Sequence, residues 1–193
     1  MYPRLTFILG GVRSGKSAYA QRLARERGGD RVLYVATAQA SDEEMVTRIA
    51  AHRAERPAAW QTLEAPYAVG LAVRQWLATA TVPPAVVLVD CLTLLVSNVL
   101  VAMGESPDPA QGEMAALAEA DQLLAAVNEL TSIAGASPSW IIVSNEVGMG
   151  LVPPYPLGRV YRDALGRVNQ RMAAAADEVW LMVAGLSWRL KPV

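Results

Sequence analysis

Cysteine, histidine and an excess of charge of either sign are all scarce in this chain of 193 residues. A single cysteine, Cys91, can form neither an intramolecular disulfide nor a CxxC metal site. Nothing therefore calls for an oxidising compartment, and Cys91 is expected to pack as a buried small hydrophobe. With 17 Lys+Arg against 18 Asp+Glu the net charge is −1, which removes the electrostatic case for a nucleic-acid or membrane-surface protein. Any anion must be bound locally. The opening "MYPRLTFILGG" lacks a secretory h-region of adequate length and a small-residue cleavage site, and reads as a first strand. One stretch, residues 82–104, is long and apolar enough to attract a hydropathy scan. Pro83, Pro84, Asp90 and Asn98 interrupt it, so it reads as a buried strand feeding a core helix, with no membrane insertion. Cytoplasm is the expected location.

What is present is an alternation. "LTFILG", "RVLYVAT", "AVVLVD", "SWIIVSN" and "DEVWLMVAG" are short, nearly continuous apolar runs separated by helical segments. That pattern predicts an α/β fold: a mostly parallel sheet with helices on both faces, in one domain spanning residues 1–193. Helices are predicted over residues 16–27, from Ser41 and Glu44 (capping-box spacing) to the turn before Pro57, and over 67–78, 92–103, 113–134 and 157–175. "GESPDPAQG" is expected to be an exposed connection. No internal repeat is present.

Gly10-Gly11-Val12-Arg13-Ser14-Gly15-Lys16-Ser17 fits G-x-x-x-x-G-K-[ST] between a predicted strand and a predicted helix. The glycines let the backbone wrap a phosphate chain, with N–H groups and the positive end of the helix pointing at it. Lys16 is expected to reach the β/γ-phosphates and Ser17 to ligate Mg²⁺. Asp90, ending "AVVLVD", is the candidate acid for the same cation, a role compatible with capping the next helix.

Helical spacing places Arg48, His52 and Arg56 on one face, with Arg53 beside them. Arginines around an imidazole favour its neutral, nucleophilic form and would neutralise a phosphate brought to it. Met45 and Ile49, on the adjoining face, are expected to pack on the body. Spacing alone leaves His52 a candidate beside the ordinary reading of a surface histidine. In "SNEVGMGLVPPYPLGRVYRDALGRVNQR", Asn145 and Glu146 follow a strand, where ligand-contacting loops collect. The charges at Arg159, Arg162, Asp163, Arg167 and Arg171 suit a solvated face or subunit contact as well as a substrate.

The segments "GGVRSGKSAYAQRLA", "YVATAQASDEEMVTRIAAHRAERPAAWQTLE", "LVDCLTLLVSN" and "SNEVGMGLVPPYPLGRVYRDALGRVNQRMAAAADEVWLMVAG" together resemble the bifunctional adenosylcobinamide kinase / adenosylcobinamide-phosphate guanylyltransferases of cobalamin biosynthesis. The resemblance spans nearly the whole chain, and R-I-x-x-H-x-x-x-R-P-x-x-W-x-T-x-E and N-E-V-G-x-G-x-V-P are not general P-loop features. It implies a RecA-like P-loop NTPase fold and a homotrimer. It also implies two reactions: phosphorylation of adenosylcobinamide by ATP or GTP, then transfer of GMP from GTP through a covalent GMP-histidine. His52 falls at the matching position; where many members carry two adjacent histidines, this chain has Ala51-His52. The resemblance further implies nucleotide contacts at Gly10, Gly11, Val12, Arg13, Ser14, Gly15, Lys16 and Ser17, at Ala36, Thr37 and Ala38, at Arg53, Ala54, Glu55 and Arg56, and at Glu64 and Asp90. A helix bearing His52 is expected to move between the two reactions, because one P-loop must present first the γ- and then the α-phosphorus. A different P-loop small-molecule kinase, or a RecA-like nucleotide switch acting on a protein partner, would share the loop and Asp90 without the histidine chemistry.

Overall fold

The computed structural model describes residues 2–40, 43–54, 56–130 and 137–192, without the side chains of Glu44 and Arg48. The expected capping box at Ser41 and Glu44, the Arg48 side chain, the candidate Glu55 and the last turn of the helix expected to reach residue 134 lie outside the described residues. The elements are β1 (Leu5–Gly10), α1 (Lys16–Gly28), β2 (Val32–Ala36), α2 (Glu43–Ala54), β3 (Gln61–Glu64), α3 (Val69–Thr79), β4 (Val86–Asp90), α4 (Leu92–Ala102), α5 (Pro109–Leu130), β5 (Ser139–Asn145), α6 (Pro156–Ala175), β6 (Glu178–Val183) and β7 (Leu186–Lys191). The strands form one sheet in the order β3-β2-β4-β5-β1-β6-β7. Every pairing is parallel except β6 with β7. The α/β expectation holds.

Strand alternation divides the core. On β1, Leu5, Phe7 and Leu9 face a large cluster shared with α3, α4, α5 and α6, while Ile8 faces a smaller one with Ala20 and Ala24 of α1. The cover is thus lopsided, with alanines letting α1 approach the sheet closely. The apolar stretch 82–104 divides as expected into β4 and α4, and among the described residues no helix is long and apolar enough to cross a membrane.

One helix start departs from expectation by more than two residues. α5 begins at Pro109, inside the expected connection, because Asp108 Oδ1 accepts the Gln111 N–H at 2.9 Å and proline suits a first helical position. Two strands were not anticipated. β3 is only "QTLE", too short to show alternation; it is seated by Trp60, whose Nε1 donates to the Gly29 carbonyl at 3.0 Å. β7 returns from β6 through Ala184 and Gly185, both at positive φ, the backbone of a tight hairpin without its usual Asn-Gly signal.

Opposite the strand ends that carry the P-loop lies a buried ion pair, Arg27 Nη2 to Glu178 Oε1 at 2.5 Å. Thr6 Oγ1 also donates to Glu178 Oε1, at 2.8 Å. Burial alone would raise the Glu178 carboxyl, but the hydrogen bonds from Arg27 and Thr6 and the guanidinium charge outweigh it and hold it below its ordinary value. A depressed carboxyl contributes stability above its unfolded pKa and loses it as pH falls through the folded one. Glu178→Gln is expected to cost about 3–5 kcal/mol at neutral pH by stranding Arg27. In urea unfolding, the gap from wild type should narrow as pH is taken below the carboxylate range; a gap constant with pH would show the pair to be electrostatically idle.

Candidate active site

The P-loop links β1 to α1. Arg13 and Gly15 take positive φ values of 57° and 90°, and the turn is closed by Ser14 N–H donating to the Gly11 carbonyl at 3.3 Å. No side chain caps α1 at Gly15, so its first N–H groups are left for an anion. A Cβ on Gly10 would lie 2.8 Å from the Met182 carbonyl oxygen of β6, which explains glycine there by close approach. The unanticipated β6–β7 hairpin supports the loop from behind: Gly185 N–H donates to the Ser14 carbonyl at 3.0 Å. Lys16 Nζ donates to the Gly11 carbonyl at 3.0 Å. Burial lowers the Lys16 ammonium from its ordinary value, partly opposed by Cys91 and Asp90.

Parallel register sets the rest of the site at the same edge of the sheet. Ala36 stands beside Glu64 on one side and Asp90 on the other, and Asn145 stands beside Gly10. Because β5 separates β1 from β4, Asp90 is about 10 Å from the P-loop strand, which leaves room for phosphates and a hydrated cation. Tyr34 OH donates to Asp90 Oδ2 at 2.9 Å. Asp90 does not cap α4, whose N-cap is Cys91 with no side-chain cap.

These residues open onto a cleft of about 770 Å³. Its walls include Val12, Arg13, Ser14, Gly15, Lys16 and Ser17 of the loop, Ala36 and Ala38 after β2, Glu64 and Asp90. His52, Arg53 and Arg56 line the same cleft, so the loop and the chain's only imidazole share one cavity. His52 and Arg53 are exposed in the last turn of α2. Arg53 is ion-paired with Glu64, tying α2 to β3.

Several placements differ from expectation. α2 ends at Ala54, so Arg56 is not on a shared helix face with His52; it reaches the cleft from beyond the helix, its guanidinium carbon 3.7 Å from the Tyr34 ring centroid. Met45 and Ile49 line the cleft rather than only packing on the body. Gly10, Gly11 and Thr37 are not among its walls. Thr37 is fully buried, with Oγ1 donating to the Cys91 carbonyl at 2.7 Å and accepting the Cys91 N–H at 2.8 Å, so it shapes the Asp90 turn. Ala54 lines a neighbouring groove instead. Cys91 is half-buried in the cleft wall, and burial followed by the Asp90 charge pushes its thiol up to about 11, keeping it protonated.

Asn145 joins the wall, whereas Glu146 turns to accept the Gly148 N–H at 2.6 Å. The α6 arginines lie outside the cleft walls: Arg171 pairs with Asp121 at 2.7 Å and Arg167 with Glu113 at 3.6 Å, and Arg159 holds the Pro153 and Pro154 carbonyls. Among the wall residues that sequence reasoning missed, Tyr34 is the one that touches both Asp90 and Arg56. It sits inside a strand, and nothing in "RVLYVAT" distinguishes it from a core aromatic.

An Mg²⁺ ion fits the donors present. Ser17 and Asp90 offer hard oxygen donors to one cleft, and Asp90 Oδ1 has no hydrogen-bond partner among the described residues. The described residues hold no group of three or more His, Cys, Asp or Glu side chains suited to a metal. Magnesium, which keeps waters and binds phosphates, does not require such a cage.

Residues 6–190 match the family model described as cobinamide kinase / cobinamide phosphate guanyltransferase. The chain is 44% identical over 184 residues to the bifunctional adenosylcobalamin biosynthesis protein CobP of Pseudomonas aeruginosa, covering 95% of each chain. To the bifunctional adenosylcobalamin biosynthesis protein CobU of Salmonella typhimurium it is 41% identical over 190 residues, covering 97% of this chain and 99% of that one. Among solved structures it is similar to the flagellar accessory protein FlaH of Methanocaldococcus jannaschii, with a TM-score of 0.55 at 17% identity. That match covers 97% of this chain and 78% of the other and bears on the fold alone.

Proposed function

Because the chain belongs to the cobinamide kinase / cobinamide phosphate guanyltransferase family, we propose that it carries out both reactions of that family at the single cleft described above. In the first, the aminopropanol hydroxyl oxygen of adenosylcobinamide bonds to the γ-phosphorus of ATP or GTP. The β–γ bridging bond breaks, the nucleoside diphosphate leaves with the electron pair, and the hydroxyl proton goes to water. In the second, the product phosphate receives GMP from GTP, giving adenosyl-GDP-cobinamide and pyrophosphate. The observation that carries this reading is the placement of the P-loop, Asp90 and the only histidine around one cleft.

The guanylyl step runs through His52. A ring nitrogen attacks the α-phosphorus, an N–P bond forms, and the α–β bridging P–O bond breaks to release pyrophosphate. The other ring nitrogen keeps its proton, so the adduct is a phosphorylated imidazolium and a good leaving group. An oxygen of the cobinamide phosphate then attacks the same phosphorus and returns neutral His52. Lys16 and the N-terminus of α1 offset charge on the departing pyrophosphate, and Arg56 offsets charge on the α-phosphoryl group. Mg²⁺, held by Ser17 and Asp90, would supply further charge neutralisation on the phosphates. The whole chain acting as one catalytic domain, its cytoplasmic location and a homotrimeric assembly are parts of the same proposal.

Supplying cobinamide with γ-labelled ATP and α-labelled GTP tests it. Both labels are expected in one corrinoid product. A corrinoid carrying only the γ-label would leave a plain P-loop kinase, and nucleotide turnover indifferent to corrinoid would favour a nucleotide switch.

A further inference from the structure

Two arginines, Arg53 and Arg56, line the cleft with His52, and their surroundings differ. Arg53 is already neutralised by Glu64. Arg56 lies against the Tyr34 ring at 3.7 Å, and its Nε is buried with no hydrogen-bond partner among the described residues. A buried guanidinium N–H without an acceptor is costly unless an anion arrives to take it. Arg56 is thus held by stacking, with its Nε–H left for an acceptor. The stacking partner is itself fixed. Tyr34 is 2% exposed, and its hydroxyl donates to Asp90 Oδ2 at 2.9 Å. One buried side chain therefore touches both Arg56 and Asp90.

We propose that Tyr34 is a positioning residue for guanylyl transfer, its ring seating Arg56 beside His52 and its hydroxyl orienting the Asp90 carboxylate. This rests on the guanylyltransferase reading above. The ring half works because a guanidinium stacked on an aromatic face keeps its planar fork free for a phosphate, at little entropic cost. The hydroxyl half works because donation to one carboxylate oxygen fixes the plane in which the other is presented.

Tyr34→Phe keeps the ring and removes the hydroxyl; Tyr34→Leu removes both, and Tyr34→Met does so with a longer, more adaptable side chain should the leucine variant fail to fold. Mn²⁺ binding, followed by electron paramagnetic resonance in the complex with α,β-methylene-GTP, is expected to weaken about 3- to 10-fold in all three variants. At saturating metal, the rate of GMP adduct formation from GTP without cobinamide is expected to stay near wild type in Tyr34→Phe. In the ringless variants it should fall about 3- to 30-fold. Adding Arg56→Ala should slow wild type and Tyr34→Phe but cost nothing further in a ringless background, a coupling that a merely structural residue would not produce. Wild-type Mn²⁺ binding in Tyr34→Phe, or an Arg56→Ala penalty that ignores the Tyr34 background, would overturn the proposal alone. A wild type that forms no adduct would overturn it together with the guanylyltransferase reading.

Discussion

Replacing His52 by alanine is expected to abolish labelling of the protein by GTP carrying its label at the α-phosphate, lowering the guanylyl-transfer rate by about 10⁴-fold or more. Wild type, given Mg²⁺ and GTP without cobinamide, should gain the mass of one GMP per chain, in a linkage labile to acid and stable to base as a phosphoramidate is. His52 is the only histidine, so no second imidazole can substitute. Alanine suits the last turn of α2, so loss of label would report lost chemistry rather than a broken helix. Phosphorylation of cobinamide should fall by far less, because the γ-phosphorus meets the acceptor hydroxyl and not the imidazole. An equal loss of both activities would instead make His52 a nucleotide-binding residue. A wild type that binds GTP without forming the adduct would sink the covalent mechanism.

Lys16→Ala should show the opposite pattern, with both reactions falling together by about 10²- to 10³-fold. Lys16 lines the cleft in the P-loop, its ammonium donating to the Gly11 carbonyl at 3.0 Å. The phosphate chain offers a stronger acceptor in either mode. The charge that leaves on NDP in one reaction and on pyrophosphate in the other develops beside the same loop. Partial burial already disfavours the free ammonium, so an incoming polyanion recovers that cost. Measuring both rates with saturating nucleotide separates this from weakened binding. A variant losing kinase activity while retaining guanylylation at wild-type rate would show that the two reactions do not share one phosphate cradle.

The two variants read different kinds of information. The P-loop could be found in the sequence because its chemistry is local: Gly10 to Ser17 are consecutive, and their spacing alone dictates a backbone that wraps an anion. The five apolar strands were visible for a similar reason, since burial on both faces leaves an unbroken Val/Ile/Leu signature. β3 and β7 escaped. The first has four residues and a single partly buried side chain; the second is an edge strand exposed at every position but Lys191, so its alternation reaches no core. The α2 face was only partly legible, because helical periodicity was extended past Ala54, where the helix stops, to Arg56.

By itself the sequence determined the parallel α/β class, the phosphate loop, the strand-end acid Asp90 and the single available imidazole, all properties of adjacent residues or of composition. Tertiary structure alone decided which of them meet. Register across β3, β2 and β4 aligned Glu64, Ala36 and Asp90. α2, tied by the Arg53–Glu64 pair, set His52 in the cleft. Stacking on Tyr34 recovered Arg56 from beyond the helix end, and the β6–β7 turn buttressed Ser14. Each of these contacts joins residues well apart in the chain. Their geometry depends on strand order and packing, which a local pattern of side chains does not encode.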